Sequence, residues 1–346
     1  MRAAVYYGVN DVRLEDVDEP EVGPGQVKLR VAYNGLCGTD LHEVFDSQRA
    51  IPSAPHPLTG ARAPLIFGHE IGGVVMEIGE GIDDVSIGTL VSVEPLRGCG
   101  ICSSCRTGDL NLCEQLAFHG LSTGGGGLAE MTVVDRSMIH KVPDGISPQQ
   151  AAMAEPLSVA WHAVERSGAE SGQWAAVLGG GPIGIGICLT LGLRGVEVLV
   201  VEPSPTRRAV ITALGGQAID PQLAPLPDQI SDRIGKQDVD ICFETSGETA
   251  SFANALAATS RHGAIVVVAS PRQPLPPILG QALAKELEIR TTYAYHGESP
   301  TVLDAMAGGH YPLEGWVTTR PMTHLLSTLG DLRSGRLLKV LVDPSS

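Results

Sequence analysis

The stretch Trp174-Ala175-Ala176-Val177-Leu178-Gly179-Gly180-Gly181-Pro182-Ile183-Gly184 decides the fold. A strand-like apolar run leads straight into G-x-G-x-x-G through Gly179, Gly181 and Gly184. Taken alone the motif is weak, because a chain with 42 glycines in 346 residues yields roughly one such match by chance. Its surroundings carry it. An apolar helix-compatible run, Ile185 to Leu193, follows, and the next strand-like run, Val196 to Val201, ends on Glu202. In that order each residue has a physical task. Gly179 permits a tight turn, Gly181 lets the backbone approach a pyrophosphate, and Gly184 lets the helix close on the strand. The helix beginning at Pro182 and Ile183 turns its free N–H groups to the phosphates. Glu202 falls where a carboxylate accepts hydrogen bonds from both hydroxyls of an adenosine ribose and repels a 2′-phosphate, so NAD is favoured over NADP. Arg207 and Arg208 weigh on that choice, since an arginine here can pair with such a phosphate. On the following helix they instead cover the adenine or meet solvent, and Arg207 is kept as a cofactor-binding candidate.

Strand and helix continue to alternate outward from this motif. Asp238 to Glu244, Gly263 to Ala269 and Leu287 to Thr292 read as strands, and Glu248 to Thr259 reads as a helix. Continuous apolar strands separated by helices mean a parallel sheet covered on both faces, an α/β doubly wound Rossmann architecture. Two proline-rich tracts, Pro221 to Pro227 and Pro271 to Pro277, read as loops. Before residue 150 the character differs. Short strand-like runs (Ala3 to Tyr6, Val27 to Val31, Ile71 to Met76, Leu90 to Val93) are separated by frequent turn signals, which points to a β-rich, barrel-like first part. Gly124 to Gly127 lacks the Gly-Lys-Ser/Thr of a phosphate loop and reads as a flexible turn into a strand over Ala129 to Val134.

Two constellations in the first part carry metal chemistry. Cys99-x2-Cys102-x2-Cys105-x7-Cys113 places four thiols in one short loop, the ligand count of a closed, all-sulfur structural zinc site. An iron–sulfur cluster is the chemical alternative. The second runs through Cys37-Gly38-Thr39-Asp40-Leu41-His42 and Gly68-His69-Glu70. Cys37 and His69 are the first two candidate ligands of a catalytic zinc that keeps a place open for substrate. Glu155, an acid among Ala151, Ala152, Met153, Leu157 and Val159, is the candidate third. Thr39 and His42 supply a hydroxyl and an imidazole that can carry a proton away from a bound alcohol.

These motifs, together with the insert Pro55-His56-Pro57-Leu58-Thr59-Gly60, the run Gly124 to Gly127 and Glu155-Pro156-Leu157, resemble the zinc-dependent medium-chain alcohol and polyol dehydrogenases. Within them the chain is most similar to the (R,R)-2,3-butanediol dehydrogenase branch. The resemblance covers nearly the whole chain and weakens beyond Tyr295. It implies a GroES-like catalytic domain over residues 1–150 and 297–346 and a dinucleotide-binding domain over 151–296. It also implies two zinc ions per chain, one catalytic and one structural, and Glu70 as a candidate transient ligand that swings onto the catalytic zinc. The expected reaction is NAD-dependent oxidation of a secondary alcohol or vicinal diol and the reverse reduction of the ketone, with (R,R)-2,3-butanediol and acetoin as the favoured pair. One thiolate and one carboxylate make a harder zinc site than two thiolates, which suits chelating diols and hydroxyketones. Sorbitol-type polyol and threonine dehydrogenases are the alternatives within the class; a non-catalytic dinucleotide-binding protein is the alternative outside it.

Composition sets limits on partners. A formal charge of −15 repels nucleic acid and anionic membranes; the resemblance implies a small alcohol, diol or hydroxyketone as the partner. No apolar run is long enough to span a bilayer, and no signal peptide is recognised. An odd count of seven cysteines with metal-like spacing suits a reducing, cytoplasmic setting. A homo-oligomer, dimer or tetramer, is expected, with pairing at a sheet edge near Leu287 to Thr292.

Overall fold

The computed structural model of the chain describes residues 1–47, 49–271, 273–274, 279–295 and 297–346. The expected loop Pro271 to Pro277 therefore lies partly outside the described residues, as does His296. Two compact units are present, Met1–Glu155 with Ser299–Ser346, and Pro156–Glu298. The sequence expectation set these borders at 150/151 and 296/297. The first falls where the helix Pro148–Ser167 begins, whereas the contacts change further along that helix.

In the unit Pro156–Glu298, the described residues form a six-stranded sheet. Its spatial order is Gln217–Ile219, Glu197–Val201, Trp174–Leu178, Val239–Glu244, Thr259–Val267 and Glu288–Thr291. Every neighbouring pair is parallel. Strand residues alternate between the two faces. Ala176, Leu178 and Leu199 pack with Ile230 and Phe252 on one side, and Ala175, Val177 and Phe243 pack with Ile187 and Leu191 on the other. Both faces are thus apolar, which is why these strands read as unbroken hydrophobic runs. Strand order reverses between Trp174–Leu178 and Val239–Glu244, and ligands of such sheets bind at the carboxyl ends beside that reversal. The expected loop Pro221 to Pro227 is helical at its end. Leu226 opens the helix Leu226–Ile234, and Pro227 is tolerated in its first turn, where an N–H would have no partner anyway.

The other unit is built mainly on antiparallel strands, with Val317–Pro321 and Lys339–Asp343 paired in parallel. Its larger sheet runs Ile139–Lys141, Leu90–Val93, Glu70–Ile78, Gln26–Gly35, Lys339–Asp343 and Val317–Pro321, with Met131–Asp135 also paired to Gln26–Gly35. Val27, Leu29, Val31, Ile71, Val75 and Val91 form one continuous core beneath it. Gly35 lies opposite Glu70 on one side and opposite Leu341 on the other. This register brings the C-terminal strand within reach of the segment that follows His69.

The glycine run Gly124 to Gly127 is pinned rather than free. Gly127 N–H donates to the Gly68 carbonyl (2.8 Å) and Leu128 N–H to the Phe67 carbonyl (2.9 Å), so the turn braces the residues just before His69. His119 locks the same turn from beneath. Thr123 Oγ1 donates to the Gly125 carbonyl (3.0 Å), so it accepts from His119 Nδ1 (3.1 Å). His119 Nε2 then accepts from Thr132 (2.7 Å). Burial pushes the His119 pKa down from 6.5 to about 4. The unfolded chain therefore takes up this proton first on acidification. Stability is complete above pH 6.5, is lost as the pH falls from 6.5 towards 4, and levels off below, for a total of about 3 kcal/mol. Replacing His119 with Gln should flatten the dependence of unfolding free energy on pH across that window. An unchanged slope in denaturant titrations would show that the proton is taken up elsewhere.

Candidate functional site

The helix Gly38–Phe45 begins at Cys37, its N-cap. Asp40 reaches back so that its Oδ2 accepts the Cys37 backbone N–H at 2.9 Å, which satisfies an N–H that the helix cannot use. The same carboxylate presents Oδ1 to His69 Nδ1 at 3.5 Å. Both atoms are buried, and among the described residues neither makes a hydrogen bond, so the contact is an ion pair. Burial by itself would lower the His69 pKa, but the charge of Asp40 and then Cys37 lift it well above the ordinary value. Asp40 thus orients both candidate ligands. Sequence reading passed over it, although its place three residues after an N-cap was a usable signal.

Among the described residues, the donor atoms of Cys37, His69 and Glu70 lie within 4.8 Å of one another. Glu70 is drawn in because it follows His69 directly and opens the strand Glu70–Ile78. The expected third ligand, Glu155, stands outside that trio. It is buried on the helix Pro148–Ser167, and burial pushes its pKa up to about 8, with the charge of His69 opposing and that of Glu70 adding to the rise. Glu70 has a partner of its own. Lys339 Nζ donates to Glu70 Oε2 and, at 3.0 Å, to the Leu36 carbonyl, and the lysine is only 2% exposed. The contact passes over Gly35, where a Cβ would sit 1.8 Å from Glu70 Oε2. Nothing in the run Leu337-Leu338-Lys339-Val340 marks that lysine as part of a site.

The two proton-relay candidates lie on the helix that starts at Cys37. Thr39 Oγ1 is 3.7 Å from Cys37 Sγ, and His42, half-buried, is placed one turn further along. A hydroxyl beside the sulfur and an imidazole that meets solvent are the two ends a proton path needs.

The four-cysteine loop closes on itself. The sulfur atoms of Cys99, Cys102, Cys105 and Cys113 lie within 4.8 Å of one another. Backbone N–H groups point at them: Cys99 N to Cys113 Sγ (3.2 Å), Cys102 N to Cys99 Sγ (3.4 Å) and Cys105 N to Cys102 Sγ (3.5 Å). The N–H groups of Cys105 and Glu114 bring the Cys102 thiol down to about 6, while burial pushes Cys105 up to about 12. Four sulfurs at this spacing cannot all be thiolates unless a cation sits among them, so the donor set fits a tetrathiolate metal.

The glycine motif is built as its sequence implied. Gly179 has φ +121°, and a Cβ at Gly184 would stand 2.0 Å from the Gly179 carbonyl oxygen. Beside Gly181, the N-cap of the helix Pro182–Leu193, the space is open. Pro182 has no N–H, which leaves Ile183 and Gly184 as the first N–H groups of that helix. Glu202 is 4% exposed. Its Oε2 accepts from Gly180 N–H and its Oε1 from Ser204 N–H, both at 2.8 Å. A carboxylate has about four acceptor positions, so about two remain for a ligand. Arg207 Nη1 lies 3.7 Å from Glu202 Oε2. Arg208 turns to the Glu202 and Pro203 carbonyls and to Asp220. Arg208 is thereby engaged, whereas Arg207, among the described residues, makes this one ion pair and is a third exposed.

Residues 23–144 match the alcohol dehydrogenase GroES-like domain, and residues 182–308 match the zinc-binding dehydrogenase domain. The (R,R)-butanediol dehydrogenase of Neisseria gonorrhoeae is 34% identical over the full length of both chains. The 2-dehydro-3-deoxy-L-galactonate 5-dehydrogenase of Pseudoalteromonas atlantica is also 34% identical, over 96% of this chain and 94% of that protein. The crystal structure of the 2R,3R-butanediol dehydrogenase from Bacillus subtilis superposes with a TM-score of 0.92 at 34% identity, covering 99% of each chain. Both units of the chain, with their two sulfur-bearing clusters and their glycine turn, are therefore those of one enzyme lineage, and the chain belongs to the zinc-dependent medium-chain dehydrogenase family of oxidoreductases.

Proposed function

We propose that the protein interconverts a secondary alcohol or vicinal diol and its ketone with NAD as hydride carrier, (R,R)-2,3-butanediol and acetoin being the favoured pair. The observation that carries this reading is the gathering of sulfur, nitrogen and oxygen donors from Cys37, His69 and Glu70 within 4.8 Å, with the buried acid Glu155 in their electrostatic field. Full-length identity to butanediol dehydrogenases supports the choice of substrate.

Cys37, His69 and Glu155 would hold the catalytic zinc, with Glu70 exchanging onto it, and the ion would act as a Lewis acid on the alcohol or carbonyl oxygen. Bound NAD would accept the hydride on its nicotinamide ring. The remaining work falls to the chain. Asp40, beside His69 Nδ1, leaves Nε2 as the donor atom and keeps the ring aimed. Lys339 holds the Glu70 carboxylate, so an exchange of Glu70 onto a cation must compete with an ammonium. Thr39 would accept the hydrogen bond of the substrate hydroxyl and hand its proton on towards His42, which would release it to solvent. Gly179, Gly181, Ile183 and Gly184 receive the pyrophosphate, and Glu202 the ribose hydroxyls. With Arg208 held by Asp220 and the Glu202 carboxylate at the ribose position, a 2′-phosphate would meet a carboxylate, and this favours NAD. Cys99, Cys102, Cys105 and Cys113 would hold the second zinc and fix their loop.

A substrate panel tests the assignment. Acetoin with NADH, and (R,R)-2,3-butanediol with NAD, should turn over at least about tenfold faster (kcat/KM) than sorbitol or threonine, a gap of about 1.4 kcal/mol, and faster than the same pair with NADP(H). Turnover of sorbitol but not acetoin would move the protein to the polyol branch. Metal analysis tests the ligands: the native protein should carry two zinc ions per chain, and Cys37→Ser should carry one, keep its fold by circular dichroism and lose activity. A Cys37→Ser protein that retained both ions would remove Cys37 from the site.

All seven cysteines are free, and among the described residues no helix is long and apolar enough to cross a membrane. We place the protein in the cytoplasm on the strength of its free thiols. We also propose a homo-oligomer, dimer or tetramer, that pairs through Glu288–Thr291, the last strand of the parallel sheet. The free N–H and C=O groups of an edge strand are a ready surface for a second copy. Light scattering on the purified protein should give a mass at least twice that of one chain; a monomer at micromolar concentration would refute the pairing.

A further inference from the structure

The helix Gly38–Phe45 ends against its own electrostatics. Its C-cap is Asp46, an acid at the negative end of the helix dipole, where a cation is the favourable choice. A residue that breaks a local rule calls for a compensating contact. Asp46 has three. Its backbone N–H donates to the His42 carbonyl at 3.0 Å. Its Oδ2 lies 2.8 Å from His42 Nδ1. Its Oδ1 is 3.4 Å from Arg333 Nη2, and that guanidinium stacks 4.6 Å above the Phe45 ring. The residue is thus anchored through its backbone N–H, and its carboxylate is held at both oxygens.

A carboxylate can only accept at this contact, so Nδ1 carries the hydrogen. The neutral imidazole has one N–H, and the hydrogen bond at one nitrogen decides the state of the other. Nε2 is therefore the bare, basic atom. Among the described residues it makes no hydrogen bond.

We propose that Asp46, steadied by Arg333, is the positioning residue of the proton relay: it holds neutral His42 in the Nδ1–H form so that Nε2 receives the proton. The inference rests on the relay role given to His42 above. The step balances simply. The Nε2 lone pair takes the proton handed on from the alcohol, the Nδ1–H bond to Asp46 stays intact while the imidazolium exists, and Nε2 then gives the proton to water. Asp46 remains ionised throughout. Without it, a half-exposed histidine reverts to the Nε2–H form that free imidazole side chains favour. The nitrogen left outside the Asp46 contact would then be a donor that has no lone pair to offer.

Nitrogen NMR of the full-length protein labelled at histidine with 15N reads the tautomer directly, the His42 signals being assigned by their loss in His42→Gln. In the native protein at a pH where His42 is neutral, Nδ1 should appear protonated and Nε2 bare. In Asp46→Ala the pattern should invert, with kcat for alcohol oxidation falling about tenfold and KM unchanged. Asp46→Asn, whose amide oxygen can still accept from Nδ1, should recover much of the native pattern and rate. A native spectrum of the Nε2–H form, or a spectrum unmoved by Asp46→Ala, overturns the proposal. The tautomer is read without turnover. A native Nδ1–H spectrum together with a His42→Gln enzyme of full activity would therefore refute the relay and leave the contact standing.

Discussion

Burying charge is costly unless the charges answer one another, and the antiparallel unit gathers Asp40, His69, Glu70, Glu155 and Lys339, each 6% exposed or less. An ion removed from water loses several kcal/mol of hydration even after the protein relaxes. Lys339 answers Glu70, and His69 answers Asp40. Glu155 is left as the odd acid, and burial drives it towards its neutral form. A divalent cation accepted by Cys37, His69 and a carboxylate would let that acid ionise. The surplus of negative charge and the zinc chemistry are thus two descriptions of one arrangement. The strand pairing exists to support it: Gly35, bare of a side chain, lies between Glu70 and Leu341 and leaves room for the lysine to cross.

The two units meet their ligands by different means. In the parallel unit the backbone does the work. A glycine turn and the start of a helix offer N–H groups at the carboxyl end of the sheet, beside the reversal in strand order, and Glu202 is oriented by N–H groups on either side of the same crevice. In the antiparallel unit side chains do it, on a helix and a strand stiffened by neighbours. The run Gly124 to Gly127 is part of that stiffening, because its close hydrogen bonds to Phe67 and Gly68 require glycine where a Cβ would strike the Ile66 carbonyl.

The nucleotide fold, the four-cysteine loop and the pairing of Cys37 with His69 were all readable along the chain. Each is a local pattern: a strand running into glycines, thiols two residues apart, a ligand at the start of a short helix. Such patterns state their physics within a few residues, as turn geometry, N–H groups or sulfur spacing. Asp40 was within reach of the same kind of reading, as the acid one helical turn from an N-cap, and Asp46 lay one residue past the end of that helix.

Tertiary structure decided the rest. Lys339 stands 269 positions from Glu70, in a strand that reads only as apolar, and its register against Gln26–Gly35 is what turns an ordinary lysine into a buried counter-ion. In the sequence Glu155 reads as the third ligand and Glu70 as a transient one; that Glu70 lies beside Cys37 and His69 depends on the sheet that carries the strand Glu70–Ile78. Likewise Arg207 and Arg208 were ambiguous until their partners, Glu202 and Asp220, were in place. Sequence determines which donors, turns and apolar runs exist, because those follow from local backbone geometry. Which charges end up facing one another depends on pairings between distant segments, and no local pattern encodes them.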